Sequence, residues 1–402
     1  MKKVLFTAAI IGSLFFTSCN SDDDATKEQE VIKVPATYVF KRDGVSSVSF
    51  GGQTTRIKMA QEFTSALGKN DLNQIQLRAM FAHEEGAQDF TDADLNASNK
   101  SIRSKTAASH DYFSTNSTDA TAIKTKFDEW ITLQTSVVFQ NWAETATPGQ
   151  AGQLPRGSKT AYVSDKGLEM NQVVAKSLIG ALMTDQILNN YLSPAVLDAS
   201  DNKAKNDAGT VVEGKGYTTM EHKWDEAYGY IYGTSQDATK PNATIGSDDS
   251  FLNKYTGKVD GDSDFAGTAA AIWDAFKLGR AAIVAKEYKV RDEQAEIIRE
   301  NISKVIAIRA VHYLQAGKGL LNPNDMGPAF HDLSEGYGFV YSLQFTRKPG
   351  TTAPYFTKAE VTALLADLMG DGENGLWDVT AGTLDTISDT IAAKFGFTKD
   401  KA

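Results

Sequence analysis

His222-Lys-Trp-Asp-Glu226-Ala-Tyr228-Gly229-Tyr230-Ile-Tyr232 returns 109 residues later as His331-Asp-Leu-Ser-Glu335-Gly-Tyr337-Gly338-Phe339-Val-Tyr341. His, Glu, Tyr, Gly and the final Tyr recur in place, while Tyr/Phe, Ile/Val and Ala/Gly exchange conservatively. Two of the chain's five histidines fall in this pair of stretches. Self-similarity of this kind predicts an internal duplication.

If each copy is helical, side chains advance about 100° per residue, so His222 and Glu226 lie one turn apart on one face, as do His331 and Glu335. Gly229 and Gly338 fall on that face too. A mid-helix glycine costs roughly 1 kcal/mol against alanine, and close approach of another backbone is its usual compensation. The His/Glu face is therefore expected to meet a neighbouring helix. Each copy then offers an imidazole and a carboxylate in an aromatic setting, a half-site for a metal or other polar ligand, with Tyr228 and Tyr337 as further candidates. The same pair at i,i+4 also serves as an ordinary helical ion pair or a satisfied interior hydrogen bond.

Working outward, a long helical pattern precedes each copy and a polar loop follows each. Tyr38 to Phe50 alternates around Asp43-Gly44 and predicts a hairpin within residues 36–52. Ile57 to Leu67 suits a helix ending at Gly68, and Asp71 is placed to cap the next through Phe81. Thr118 or Asp119 opens a pattern running to Trp142, and Asp165 one carrying Leu168 to Leu192, apolar on more than one side and so central. Asp264 is expected to cap Phe265 to Tyr288, Asp292 a helix through Leu314, Thr357 one to Met369, and Thr380 or Thr383 the last, to Phe395. Arg280 within an apolar helix needs a buried acid or carbonyl partner. The expected fold class is all-α: a duplicated helical bundle with a small N-terminal β-hairpin, its halves at residues 53–258 and 259–397.

Met1-Lys2-Lys3, apolar Val4 to Phe16, and Thr17-Ser18 before Cys19 read as a secretory leader over residues 1–18, too short for a membrane span. Cys19, the chain's one cysteine, sits where a bacterial lipobox places the residue that is lipidated. Residues 19–35, beginning Asn20-Ser-Asp-Asp-Asp24, form a polar tether unable to bury enough apolar surface to fold. The acidic cluster is similar to the signal that sends lipoproteins to the outer leaflet of the outer membrane. The expectation is a surface-exposed outer-membrane lipoprotein, with the membrane as partner through the anchor and no other thiol for disulfide or thiolate chemistry.

Loss of the leader with Lys2 and Lys3 takes the net charge from −10 to −12 and leaves 384 of 402 residues. With no basic run, nucleic acid is not an expected partner. His83-Glu84 has no second histidine at the spacing of a His-Glu-x-x-His site, and no nucleophile elbow or phosphate loop occurs, so no catalytic residue is assigned. Asp260-Gly-Asp262-Ser-Asp264 imitates the start of a calcium loop, but Phe265 and Ala271 replace its glycine and its bidentate glutamate.

Taken with the leader and the hairpin, Glu221-His-Lys-Trp-Asp-Glu-Ala-Tyr-Gly-Tyr230, Trp273-Asp-Ala-Phe-Lys-Leu-Gly-Arg-Ala-Ala-Ile283 and Leu333-Ser-Glu-Gly-Tyr-Gly-Phe339 give the chain a family likeness. It resembles the Bacteroidota lipoproteins of domain of unknown function 4856, often encoded beside imelysin-like proteins and outer-membrane iron-uptake genes. The resemblance spans nearly the whole mature chain. It implies an imelysin-like duplicated bundle, a metal ion (iron or zinc) as cofactor, and outer-membrane iron-uptake proteins as partners. Some imelysin-like proteins carry Gly-x-His-x-x-Glu, whereas both copies here read His-x-x-x-Glu, and Ala82-His83-Glu84-Glu85 lacks the motif's glycine and its glutamate three residues after His. The expected function is a non-enzymatic binding protein in iron, haem or other metal acquisition, with His222, Glu226, His331 and Glu335 as ligands. The alternatives are an imelysin-like metallohydrolase and a structural or adhesive surface module.

Overall fold

Asp43 and Gly44 both occupy the left-handed region, with φ of 53° and 82°, the two-residue turn whose twist matches antiparallel strands. They join β1 (Lys41–Arg42) to β2 (Val45–Ser46), pairing Lys41 with Ser46 and Arg42 with Val45. A computed structural model describes residues 32–370 and 373–402; the leader, Cys19 and most of the tether, through residue 31, lie outside the described residues.

The rest is largely helical. In order come α1 (Gly51–Leu67), α2 (Gln74–Ala82), the single turns α3 (Ala93–Asn96) and α4 (His110–Phe113), and α5 (Ser117–Leu133). A second hairpin, β3 (Gly152–Arg156) and β4 (Lys159–Val163), precedes α6 (Met170–Leu178). The short α7 (Pro194–Leu197) and α8 (Asn202–Asp207) lead to α9 (Thr219–Tyr232). Then follow α10 (Leu252–Asp260), α11 (Thr268–Val284), α12 (Tyr288–Gly319), α13 (Gly327–Ser342), α14 (Lys358–Met369) and α15 (Ala381–Phe395). The expected all-α class with a small N-terminal hairpin is what the chain forms.

α12, at 32 residues, runs about 48 Å at 1.5 Å per residue and packs on α11, α13 and α15. The motif helices have different neighbours. α9 packs on α1 and α11, and α13 on α6 and α12. Thus α6, from residues 53–258, meets α13, from residues 259–397, and α9 meets α11, so the two expected stretches interlock within one compact unit over residues 32–402.

Two-residue strands have no face of their own to bury, so the N-terminal hairpin is held from outside. Arg280, fully buried on α11, donates to Glu221 (3.0 Å), to Asp225 (3.1 Å) and to the Ser47 carbonyl (3.4 Å). Arg42 makes a fork to the two oxygens of Glu221 at 2.9 and 3.0 Å, and the Tyr38 hydroxyl donates to Asp225 at 2.8 Å. The acid partners that Arg280 requires are therefore both on α9.

Several boundaries differ from expectation. The second hairpin was not expected; proline argues against a strand, but in a two-stranded ribbon every strand is an edge, and Pro155 is accommodated opposite Thr160. Asn73 and Asn116, not Asp71, Thr118 or Asp119, cap α2 and α5. Asp264 does not cap α11: Asp260 accepts from the Gly267 and Ala269 amides at 3.0 and 2.9 Å, where the positive φ of Gly267 turns the chain into the helix. α12 starts before Asp292, which instead pairs with Arg291.

The central helix also departs from the single run anticipated through Leu192. Asp165 does not cap it, and after Leu178 it widens into π-helical turns at Ile179–Thr184 and Ile187–Tyr191. Such widening frees carbonyls, and donors from elsewhere take them up: Ala107 N–H reaches the Ala181 oxygen at 2.7 Å, and Arg299 and Arg347 reach that of Leu188 at 3.5 and 3.3 Å. Asp185, between the two widened turns, accepts from the Ala108 and Ser109 amides at 3.1 and 3.0 Å. Burial pushes its carboxyl up to about 6, despite those donors.

A raised folded-state value means that the folded chain binds the proton more tightly than the unfolded one, so stability is gained as pH falls from about 6 toward the ordinary 3.8 and lost as pH rises through 6. Asp185→Asn removes this gain while keeping an acceptor. The stability of wild type relative to the variant should rise by roughly 1–3 kcal/mol between pH 7 and pH 4, read from urea unfolding at each pH. Asp225 and Asp249, which burial also raises to about 6, cancel in that difference.

Candidate functional site

α9 opens with a capping box in which Thr218 accepts from the Glu221 amide at 3.3 Å and Glu221 accepts from the Thr218 amide at 2.6 Å. α13 opens on Gly327-Pro328, with proline placed where a missing amide hydrogen costs nothing. Both copies of the repeat are thus helical, and His and Glu stand one turn apart in each.

The motif glycines explain what faces them. A β-carbon at Gly229 would lie 2.5 Å from that of Phe50 and 3.0 Å from that of Gln53. One at Gly338 would lie 2.5 Å from that of Lys176 and 2.9 Å from the Val173 carbonyl. Close approach brings Gln53 beside Glu226, and Lys176 beside Glu335.

In the first copy the His222 Nδ1 hydrogen is donated to the Ser49 carbonyl at 3.0 Å, which leaves Nε2 facing Glu226 at 4.0 Å. The ring stacks on Tyr217 at 4.5 Å. Burial holds this imidazole below its ordinary value, more than the Glu226 carboxylate restores. Glu226 accepts from Gln53 at 3.0 Å and pairs with Lys223 at 2.7 Å. Burial opposes its charge, but Lys223, His222 and Gln53 together outweigh that and leave the carboxyl below its usual range.

In the second copy His331 Nδ1 lies 2.6 Å from Glu169, its Nε2 lies 3.9 Å from Glu335, and Glu335 pairs with Lys176 at 3.1 Å. Burial again opposes the Glu335 charge, and the Lys176 ammonium, the Tyr313 hydroxyl and His331 together outweigh it. The two pairs have separate surroundings. Of the partners, Lys223 was legible as the neighbour of His222 three residues before Glu226; Gln53, Glu169 and Lys176 come from distant chain and left no local signal.

The tyrosines at matching positions diverge. Tyr228 is fully buried, stacks on Tyr38 at 3.6 Å, and donates to the Ala238 carbonyl at 2.6 Å, so it holds the hairpin. Tyr337 lines a groove of about 390 Å³ between α5, α13 and α14, with Tyr341, Ile123, Val361 and Leu365. Neither the Tyr337 nor the Tyr341 hydroxyl makes a hydrogen bond among the described residues. Lys126 and Lys358 also line this groove, each in an exposed ion pair, with Glu129 and Asp119.

A bare metal ion does not fit either His/Glu pair as it stands. Each carboxylate already carries a lysine ammonium, which occupies the position and supplies the charge that a cation would. Among the described residues no three His, Cys, Asp or Glu side chains group as a metal site.

No curated protein and no solved structure matches this chain. The family model described as domain of unknown function (DUF4856) matches residues 35–398, and the chain belongs to that family.

Proposed function

We propose that the chain is an exported, lipid-anchored binding protein of the outer membrane that takes part in metal acquisition by holding a metal complex with an apolar body and an anionic edge, haem being the simplest. Support for export and anchoring comes from the leader and Cys19. The observation that carries the ligand reading is the Tyr337 groove. Its volume lies in the range of small-molecule sites, about 300–1,000 Å³, its walls are mainly apolar, and two tyrosine hydroxyls without protein partners are available to the ligand. Lys126 and Lys358 are in exposed pairs worth little individually, so either can turn to a carboxylate of the ligand. Imelysin-like kinship and docking with iron-uptake proteins belong to the same proposal, and the groove on α5, α13 and α14 gives the cargo a place outside both His/Glu pairs.

Ferric haem titrated into the purified protein tests it. The expected result is a saturable change in the haem absorption band at one haem per chain, weakened about tenfold in Tyr337→Phe and at high salt in wild type. A non-saturable change, or one indifferent to Tyr337→Phe, overturns the groove as the haem site.

A further inference from the structure

Tyr255 on α10 is ringed by cations: Lys176 Nζ at 5.4 Å, Lys254 Nζ at 5.4 Å and Arg309 Cζ at 5.6 Å from its ring centroid. Arg309 also stacks on Tyr313 at 4.7 Å. Only Lys176 has an acid, Glu335, at 3.1 Å. Lys254 and Arg309 have no carboxylate within 4.0 Å among the described residues. Arg309 is 7% exposed and its guanidinium makes no hydrogen bond among the described residues, its Nε being fully buried. Buried charges are normally paired, because an unpaired one forfeits its hydration without return. Within 4.0 Å the three cations have one carboxylate among them, and Asp332 acts on Arg309 only from a distance.

The first copy repeats the plan with one difference. Tyr191 has Lys223 Nζ at 5.5 Å and Lys105 Nζ at 5.7 Å, and Glu226 pairs with Lys223. There the nearby arginine, Arg56, is satisfied by the Ser101 and Gly52 carbonyls at 3.1 and 3.2 Å. The unpartnered arginine is thus peculiar to the second copy and does not follow from the shared plan.

We infer that Arg309, Lys254 and Lys176 form a binding site for a small oxyanion, a phosphate- or carboxylate-type group, seated against Tyr255 and Tyr313 and separate from the Tyr337 groove. The guanidinium supplies forked N–H donors, which such oxygens match bidentately. The Tyr313 hydroxyl donates to that of Tyr255 at 3.4 Å, which leaves the Tyr255 hydroxyl hydrogen as one neutral donor. Glu335 and His331 then act as positioning residues: Glu335 holds Lys176 in the cluster, and His331 stands behind Glu335.

Calorimetric titration with inorganic phosphate, sulfate and citrate, at ionic strength held constant with chloride, tests the site on the full protein. At least one should bind saturably and raise the thermal midpoint. Lys254→Gln, on a half-buried side chain, should weaken that binding about tenfold, and Arg309→Gln should abolish it. Tyr337→Phe should leave it unchanged, which separates this site from the groove. Without anion, Arg309→Met, which keeps the apolar stem, should raise the thermal midpoint. No saturable response to any of the three anions, binding indifferent to both substitutions, or a lowered midpoint in Arg309→Met overturns the assignment.

Discussion

Arg280→Leu is expected to cost about 3–5 kcal/mol of stability, the range for removing one partner from a buried ion network. The leucine fills most of the space, but Asp225 is left fully buried with the Tyr38 hydroxyl and the Ser49 amide, and Glu221 keeps Arg42 alone among its cations. Burial already pushes the Asp225 carboxyl up to about 6 with Arg280 present, so without it the acid protonates at still higher pH and the loss is smaller in acid than at pH 8. Adding Asp225→Leu should recover part of the deficit, because the uncompensated charge disappears with it. Urea midpoints of the wild type, both single variants and the double variant decide it. A deficit below about 1 kcal/mol, the level of an exposed pair, would show that the network does not hold α9, α11 and the hairpin together.

Gly338→Val should be nearly as severe, at about 3 kcal/mol or more, for a steric reason. The first added carbon meets the Val173 carbonyl at 2.9 Å and the Ser177 nitrogen at 3.0 Å. These are backbone atoms of a buried helix and cannot turn aside as a side-chain end would. α13 must move off α6, and Lys176 then leaves Glu335. Stability and the oxyanion response should fall together in this variant, whereas Arg309→Gln removes the response with the fold intact. A valine tolerated within 1 kcal/mol would contradict the close helix approach; thermal melts with and without phosphate read both effects.

What was legible in the sequence is where local chemistry acts alone. Thr357 and Thr380 cap their helices as their positions indicate, because a cap is formed by residues three apart. The two motif copies are helices because their periodicity is strong, and their glycines face close neighbours as expected. The π-helical turns were not legible. Nothing in Ile179 to Tyr191 distinguishes them from an α-helix, and they depend on Ala107, Arg299 and Arg347, which lie 74 to 159 residues from the carbonyls they reach. The candidate site was half visible for the same reason: His, Glu and Lys223 share one helix, while Lys176, Lys254 and Arg309 reach the second pair from three others. That Tyr228 and Tyr337 serve different ends could not be read from matching positions, since the difference lies in what packs against each.

The far reach of the hairpin contacts also orders events in time. Tyr38 bonds a residue 187 positions on, and Ser47 accepts from one 233 positions on. Contacts so distant in sequence close late, after the loops between them have condensed. The amino-terminal strap therefore stays open until α9 and α11 are both assembled. When it locks, Tyr38 and Arg42 are bolted to the first motif helix, so a pull on the chain ahead of Tyr38 is felt by α9 directly.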